Sequence, residues 1–304
     1  MKYNILVVGG TGFIGKNFIT LLKKKRKFNI YSLSQKKIDK KSRDKNIKYI
    51  FCKIQNKNQL KKKLRYNFDF VVNLAGHKNH KEFKKTYQTH YLGLKYLVDI
   101  LFTKKIKKFI QVGSSLEYGY TKSPQSEKKI VKISKLKSAF GRSKLKSTNY
   151  IMKLYNKTGF PCLVLRPYLI YGPGQSFERL IPYVIKKCLN NESFNLTSGK
   201  QLRNLIYIND FINILYKCLF IKTQGEIFNV GSSKNYKIKF IIDYIHKLVK
   251  KGFPKFGMIK LRKDEPMNLY PDLKKINKYV KLKSEVTIKE GLKKTILFIK
   301  KCKL

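Results

Sequence analysis

Three glycines near the amino terminus have the spacing of a phosphate-binding turn, Gly9-x-x-Gly12-x-x-Gly15. The apolar run at 5–8 has the length of a buried parallel strand, and an amphipathic helical pattern over 16–27 follows the glycines. Glycine lets backbone N–H groups approach a pyrophosphate, and the helix amino terminus adds partial positive charge there. A strand, a glycine turn and a helix in this order predict a dinucleotide-binding site.

The second predicted strand, 28–34, ends at the place that faces the adenosine ribose in such sites. An acidic residue there favours NAD, because its carboxylate accepts hydrogen bonds from the ribose hydroxyls. This chain has Ser34 at that place, followed by Lys36 and Lys37. A small neutral residue beside two cations suits a 2′-phosphate, so the sequence favours NADP and leaves NAD open.

Strand and helix patterns alternate through the first half of the chain. We predict strands at 47–51, 68–76 and 108–113 and helices at about 57–65 and 82–102. This alternation predicts an α/β fold with a Rossmann-type, doubly wound parallel sheet. Beyond about residue 170 the pattern loosens. We therefore predict an NAD(P)-binding domain over 1–170 and a smaller mixed α/β substrate-binding region over 171–304, partly interleaved with the first.

The composition is that of a globular chain with a large positive charge. Of the 304 residues 42% are apolar, and the net charge is +52. The lysines run through almost every segment instead of forming one stripe, so we expect no specific nucleic-acid binding. The first strand follows Met1 closely, no apolar run could cross a membrane, and the five scattered cysteines form no C-x-x-C pair. We expect a cytoplasmic protein with reduced thiols, no signal peptide and no membrane partner.

Further motifs follow the glycine turn along the whole chain. They are Asn73-Leu74-Ala75-Gly76, Gly113-Ser114-Ser115-Leu116-Glu117-Tyr118-Gly119, Gly141-Arg142-Ser143-Lys144, Leu165-Arg166-Pro167, Tyr171-Gly172-Pro173-Gly174, Arg203 to Asp210, Phe228-Asn229-Val230-Gly231 and Glu290-Gly291-Leu292. Together they resemble the extended short-chain dehydrogenase/reductases of the epimerase/dehydratase type. The resemblance implies hydride transfer on a nucleotide-diphosphate sugar, and a homodimer formed through helices near 82–102 and 142–157.

The chemistry of that family uses a serine or threonine, a tyrosine and a lysine. By position, the resemblance implies Ser114 as the catalytic hydroxyl and Lys144 as the catalytic lysine. The family's Tyr-x-x-x-Lys reads Phe140-Gly141-Arg142-Ser143-Lys144 here, so a phenylalanine occupies the tyrosine position. Three explanations stay open: a deliberate substitution, a natural member with little redox activity, or another proton source such as Tyr118, a bound water or a substrate hydroxyl.

The resemblance also implies the binding residues. The cofactor-binding set is Gly9, Thr11, Gly12, Phe13, Ile14, Gly15, Ser34, Leu74, Ala75, Gly76 and Lys144, and the substrate-binding set is Ser115, Arg179, Arg203 and Arg262. The arginines suit a diphosphate because a guanidinium can donate two parallel hydrogen bonds to phosphate oxygens. Two positions depart from the family pattern: Lys53 lies near the place of an adenine-contacting aspartate, and His90 replaces an asparagine.

The residues after Ser114 bear on the reaction type. Sugar dehydratases carry an acid pair there, whereas this chain has Ser115 and Leu116, which cannot eliminate water. We therefore expect a reductase of an NDP-4-keto-6-deoxyhexose acting at C4. An NDP-hexose 4-epimerase with retained NAD and a catalytically weak binding homologue are the alternatives. His77 and His80 form an H-x-x-H without a third ligand, so we expect no metal.

Overall fold

The computed structural model of the chain describes residues 2–77, 82–261, 265–280 and 286–302. The strands are β1 (Tyr3–Val8), β2 (Phe28–Ser34), β3 (Ile47–Phe51), β4 (Phe70–Asn73), β5 (Lys108–Val112), β6 (Cys162–Pro167), β7 (Leu169–Tyr171), β8 (Ser193–Asn195), β9 (Leu202–Tyr207), β10 (Glu226–Val230), β11 (Asn235–Lys237), β12 (Phe253–Lys255) and β13 (Asn268–Leu269). The α-helices are α1 (Phe13–Lys25), α2 (Lys57–Lys63), α3 (Phe83–Tyr87), α4 (Gly93–Leu101), α5 (Ala139–Thr158), α6 (Leu180–Leu189), α7 (Ile208–Cys218), α8 (Ile238–Val249), α9 (Lys274–Asn277) and α10 (Ile288–Lys301).

The largest sheet has seven strands in the order β10-β6-β5-β4-β1-β2-β3. Strands β1 to β6 pair in parallel, and their order from the edge is that of a dinucleotide-binding sheet. The chain leaves β1 in one direction to β2 and later returns to its other side with β4. Val8, the last residue of β1, pairs with both Leu33 and Asn73, so the glycine turn lies where the strand order reverses.

Hydrophobic burial accounts for this sheet and its helices. The last four residues of β1 are fully buried, as expected for a central parallel strand covered on both faces. In α1 the apolar residues Phe18, Ile19 and Leu22 are buried, whereas the exposed face carries lysines. The helical periodicity that predicted this element therefore also indicated which of its faces is buried.

The helix predicted over 82–102 is interrupted. Between α3 and α4 the residues Gln88–Leu92 form a π-helical turn. The extra residue in such a turn changes the direction of the side chains in it, and π-turns are common at functional sites. His90 lies in this turn and is buried.

The chain divides into two compact units. The first contains Met1–Gly119, Ile130–Arg166 and Ile212–Phe228, and the second contains Tyr120–Lys129, Pro167–Phe211 and Asn229–Leu304. The second unit has a mixed sheet in which β9 pairs with β7, β11 and β13, and a separate pair of β8 with β12. The sequence-based division at residue 170 differs at two segments. It assigns 120–129 to the first domain and 212–228 to the second region, whereas the structure has 120–129 in the second unit and 212–228 in the first.

No helix in the described segments is both long enough and apolar enough to cross a membrane. Cys52, Cys162, Cys188 and Cys218 are buried free thiols, and Cys302 is an exposed one.

Gly15→Ala is expected to lower the free energy of unfolding by about 1–3 kcal/mol, because the turn leaves no room for a side chain. A Cβ at position 15 would lie 2.3 Å from the Gly9 carbonyl oxygen and 2.6 Å from the Gly10 Cα. Urea unfolding followed by circular dichroism measures the change. Lys16→Ala, at the exposed next position of α1, is the matched control and should shift stability by less than about 0.5 kcal/mol. Equal stability of Gly15→Ala and the parent chain would contradict the close packing of this turn.

Candidate active site

The glycine turn after β1 forms a backbone cradle at the carboxyl end of the sheet. Gly9 has φ +83°, and a Cβ there would lie 3.0 Å from the Leu74 carbonyl oxygen. Gly12 is the N-cap of the 13-residue helix α1 and provides no side-chain cap. The first N–H groups of α1 are therefore available to an anion, and the absence of side chains lets a phosphate approach them. This cradle fits the pyrophosphate of a dinucleotide, with Thr11 to Gly15 as the residues that would hold it.

Ser34 lies at the carboxyl end of β2, next to the glycine turn. Its side chain is buried, and its Oγ accepts a hydrogen bond of 3.3 Å from the Thr11 backbone N–H. Lys36 and Lys37, two and three residues further along the chain, are exposed. The sequence therefore placed Ser34 correctly at the strand end, where a ribose hydroxyl or a 2′-phosphate would be read.

The turn after β4 is held by a buried amide pair. Asn73 Nδ2 donates to Gln111 Oε1 at 2.8 Å, and Asn73 Oδ1 accepts from the Ala75 N–H at 3.1 Å. These bonds fix the direction in which Leu74, Ala75 and Gly76 leave the sheet beside the glycine turn. Three of the predicted cofactor segments thus converge at one edge of the sheet.

Ser114 follows β5 and begins the 3₁₀ turn Ser115–Tyr118. Its Oγ accepts a hydrogen bond of 3.2 Å from the Leu116 N–H, and its own N–H donates to Glu117 Oε1 at 2.8 Å. This reciprocal arrangement is a capping box. Because the Oγ already accepts from the backbone, the hydroxyl hydrogen of Ser114 can be donated to a ligand oxygen.

Glu117 has no exposed surface and connects three elements of the site. Besides the Ser114 N–H, its carboxylate accepts from Thr148 Oγ1 and from Arg166 Nε, each at 2.8 Å. The Arg166 guanidinium also lies 4.6 Å from the centre of the Tyr118 ring. Burial opposes the charge of Arg166, but Glu117 and Tyr118 hold the pKa of the guanidinium above its usual value.

Lys144 extends from α5 to the end of β5. The helix begins after Ser138, whose side chain accepts a hydrogen bond from the Gly141 N–H. The Lys144 side chain is buried, and its Nζ donates to the Val112 carbonyl oxygen at 2.7 Å. Burial lowers the pKa of Lys144 to about 8, and the Glu117 carboxylate opposes that shift. The Lys144 side chain therefore changes between its charged and neutral forms at a pH near 8.

Phe140 lies one helical turn before Lys144. The Lys144 Nζ is 5.8 Å from the centre of the Phe140 ring, and the edge of the His90 ring meets that ring at a centroid distance of 5.0 Å. The His90 Nε2 accepts a hydrogen bond of 3.2 Å from the His77 N–H. Ser114, Phe140 and Lys144 thus belong to the elements around the end of β5, and a benzene ring stands where the resemblance implies a phenol.

The predicted substrate-binding residues belong to different elements of the chain. Ser115 is buried in the 3₁₀ turn, and Arg179 is exposed at the N-cap of α6. Arg203 is buried in β9, where it donates to Glu265 Oε1 at 2.7 Å and to the Met267 carbonyl oxygen at 3.1 Å. Its charge is thus already compensated by a carboxylate. Arg262 lies outside the described residues.

The H-x-x-H of His77 and His80 is the motif at which the sequence predicts no metal site. His80 of the H-x-x-H lies outside the described residues, and His77 is 3.5 Å from Glu82. Within the described segments, no three histidine, cysteine or acidic side chains lie close enough together to hold a metal ion.

Glu117 and Arg166 lie in two of the sequence motifs but carried no predicted role, and Thr148 lies outside those motifs. One signal was available: the chain has only 17 acidic residues against 69 basic ones. An acid between a predicted buried strand and a glycine therefore needs a partner. The arginine of the motif Leu165-Arg166-Pro167 was a candidate partner.

The fold and this site define a dinucleotide-dependent α/β enzyme. The model of the NAD dependent epimerase/dehydratase family matches residues 5–231. The chain belongs to this family, which includes NAD-dependent enzymes that act on nucleotide sugars. Family membership confirms the predicted fold class and a nicotinamide dinucleotide as cofactor. The preference for NADP remains a prediction.

Two curated relatives share the family at low identity. The chain is 29% identical over 252 residues to a dTDP-D-glucose 4,6-dehydratase of Dictyostelium discoideum, covering 75% of this chain and 58% of that protein. It is 25% identical over 312 residues to the human dTDP-D-glucose 4,6-dehydratase, covering 96% of this chain and 88% of that protein.

One solved structure with a similar fold is a mutant enzyme. It is a mutant of UDP-glucuronic acid 4-epimerase from Bacillus cereus with one tyrosine replaced by phenylalanine, in complex with UDP-4-deoxy-4-fluoro-glucuronic acid and NAD. The TM-score is 0.88 at 24% identity, over 98% of this chain and 99% of that one.

Glu117→Gln is expected to lower the free energy of unfolding by about 3–5 kcal/mol, because it leaves the Arg166 charge buried without its partner. Denaturant unfolding of the cofactor-free protein measures this change. The matched control is Asp243→Asn, which breaks the exposed ion pair with Lys239 and should cost less than about 0.5 kcal/mol. A cost for Glu117→Gln as small as that of the control would disprove the structural role of the buried pair.

Proposed function

We propose that the chain transfers hydride at C4 of a hexose carried on a nucleoside diphosphate, and that it acts as a reductase of a 4-keto-6-deoxy sugar. The observation that carries this proposal is the arrangement around the end of β5. A hydroxyl from Ser114 and a buried ammonium from Lys144 accompany a ring at position 140 that has no proton to exchange. Ligand binding and hydride transfer need the Ser114 hydroxyl and the Lys144 ammonium. The absence of a proton on the Phe140 ring limits the rate of proton transfer.

A dehydratase reaction does not suit this site. Elimination of water needs an acid and a base beside the substrate hydroxyl. Ser115 and Leu116 occupy the places of the acid pair, and Ser115 is buried in the 3₁₀ turn. The two dehydratase relatives named above are 29% and 25% identical, which leaves room for a different reaction on the same fold.

The environment of Ser34 supports NADP as the working cofactor of this reductase. An acid at this place would repel a 2′-phosphate, whereas Ser34 is neutral and has the cations Lys36 and Lys37 close by in sequence. A reductase consumes its reduced cofactor, so NADPH suits this reaction.

A 4-epimerase with retained NAD is the second candidate. It is favoured by the similar structure of the UDP-glucuronic acid 4-epimerase mutant, which holds NAD and a nucleotide-sugar analogue although a tyrosine is replaced by phenylalanine. That complex also supports the third possibility, a chain that binds both ligands and turns over slowly. An epimerase shows no net oxidation of cofactor, which separates it from a reductase.

The roles of the chain's own residues follow from their contacts. When bound, the nicotinamide supplies the hydride. The Ser114 hydroxyl would hold the sugar oxygen, Lys144 would bind the nicotinamide ribose, and Phe140 would pack against the reacting end without exchanging a proton. Tyr118 is a poor substitute for the missing phenol, because it is fully buried against the Arg166 guanidinium.

On the substrate side, Arg179 and Arg262 are proposed to pair with the diphosphate. Arg203 could bind phosphate oxygens only by releasing Glu265. Its main proposed role is therefore to hold Glu265 and Met267 in position. We further propose that the chain forms a homodimer through the helices near 82–102 and 142–157, which belong to α3, α4 and α5, and works in the cytoplasm.

Phe140→Tyr is expected to raise the rate of hydride transfer by about 10²- to 10⁴-fold, because it restores a phenol beside Lys144. The measurement is transfer of deuterium from 4-deuterated NADPH to a 4-keto-6-deoxy nucleotide sugar. Phe102→Tyr, the same change at an exposed position outside the site, is the matched control and should leave the rate unchanged. An unchanged rate in Phe140→Tyr would mean that position 140 is not the tyrosine position.

Ser34→Asp is expected to reduce the affinity for NADPH relative to NADH by at least about tenfold, because a carboxylate repels the 2′-phosphate and accepts from the ribose hydroxyls. Fluorescence titration with both cofactors gives the ratio. Lys27→Ala, an exposed lysine before β2, controls for the loss of charge alone. An unaltered ratio in Ser34→Asp would place the ribose away from the end of β2.

A further inference from the structure

Hydride transfer to a sugar carbonyl leaves an alkoxide that must receive a proton, and Phe140 cannot give one. Tyr118 is 1% exposed and lies under the Arg166 guanidinium. His90 touches the Phe140 ring, but its Nε2 accepts from the His77 N–H. The neutral His90 ring therefore carries its single proton on Nδ1, and losing that proton would leave an imidazolate. Neither ring is a suitable proton donor.

Lys144 is a further titratable group beside Phe140 in the described part of the chain. Its side chain is 5% exposed, and its Nζ donates to the Val112 carbonyl oxygen. An ammonium has three N–H donors, and the described part of the chain offers this one acceptor. The other two N–H groups are available for bound cofactor and substrate. The Lys144 Nζ lies 5.8 Å from the centre of the Phe140 ring, which occupies the tyrosine position.

The charges around Lys144 set its protonation. Glu117 of the 3₁₀ turn favours the ammonium, but the Glu117 carboxylate is shared with Arg166 of β6 and with Thr148 of α5. Val112 of β5 contributes a neutral carbonyl, and the π-turn contributes His90, which meets the Phe140 ring. Burial outweighs the attraction of Glu117, so the pKa of Lys144 falls to about 8. The group can therefore release a proton near neutral pH.

We propose that Lys144 itself is the proton-exchanging residue of this chain and does the work that a tyrosine does elsewhere in the family. As hydride from NAD(P)H forms the new C–H bond at C4, an N–H bond of the Lys144 ammonium breaks and an O–H bond forms on the C4 oxygen. The lysine is left as a neutral amine and is protonated again from solvent. In the direction of oxidation the amine takes the proton from the hydroxyl.

This inference rests on the proposed hydride transfer, and Lys144→Arg separates the two. Arginine keeps the charge and the donors but does not release a proton in this pH range. Deuterium transfer should fall more than about 100-fold on the wild-type background and only about tenfold with Phe140→Tyr, which carries its own acid. Equal losses on both backgrounds would show that Lys144 only binds ligand and would overturn the inference.

A second measurement needs no turnover. In cofactor-free protein labelled with ¹⁵N-lysine, the Nζ resonance missing from Lys144→Arg identifies Lys144, and its shift is followed against pH. A midpoint near 8 supports the inference, and a midpoint near the ordinary lysine value of about 10.4 overturns it. The wild-type rate of reduction should fall as pH rises through the same midpoint, because the ammonium is the donor.

The two proposals fail in different ways. If neither the wild type nor Phe140→Tyr transfers deuterium to any nucleotide sugar offered, the proposed function is wrong and this inference falls with it. If both transfer deuterium and Lys144 titrates near its ordinary value, the proposed function stands and the inference alone is overturned.

Discussion

The buried pair of Glu117 and Arg166 is the interaction on which the site depends. Removing two charges from water is costly, and the cost is offset only when the remaining hydrogen-bonding positions are filled. Here the Glu117 carboxylate also accepts from the Ser114 N–H and from Thr148, so one group joins the end of β5, helix α5 and strand β6. The position of the Ser114 hydroxyl and the electrostatic surroundings of Lys144 therefore both depend on the same carboxylate.

Much of the fold could be predicted because its determinants are local. A few neighbouring residues are enough to indicate the apolar strand β1, the glycine turn and the amphipathic helix α1. The alternation of such strands and helices then predicts a parallel sheet. The break in the helix predicted over 82–102 could not be predicted in this way. A π-turn at Gln88–Leu92 depends on what packs around it, and helical periodicity alone carries no information about that packing.

The positions of candidate site residues could be predicted only where they follow from a strand end or a motif. Ser34 lies at the end of β2 and Lys144 in α5, and their roles stay predictions. Arg203 shows the limit: its type suits a phosphate, yet its partner Glu265 is 62 residues away and was not visible as a partner in the sequence. The compensation of a buried charge is a long-range property, and a motif reports the residue without its surroundings.

In the function that we propose, cofactor binding and proton exchange depend on different elements of the chain. The cradle is backbone from the turns after β1 and β4, and a substitution in α5 changes none of its donors. Replacing tyrosine by phenylalanine removes one oxygen and keeps a ring that packs edge to face with His90. What a phenylalanine lacks at this position is therefore the phenolic proton, and its ring still packs against His90. Burial lowers the pKa of Lys144 to about 8, so the proton exchange that we propose for Lys144 requires no change in the backbone groups of the cradle.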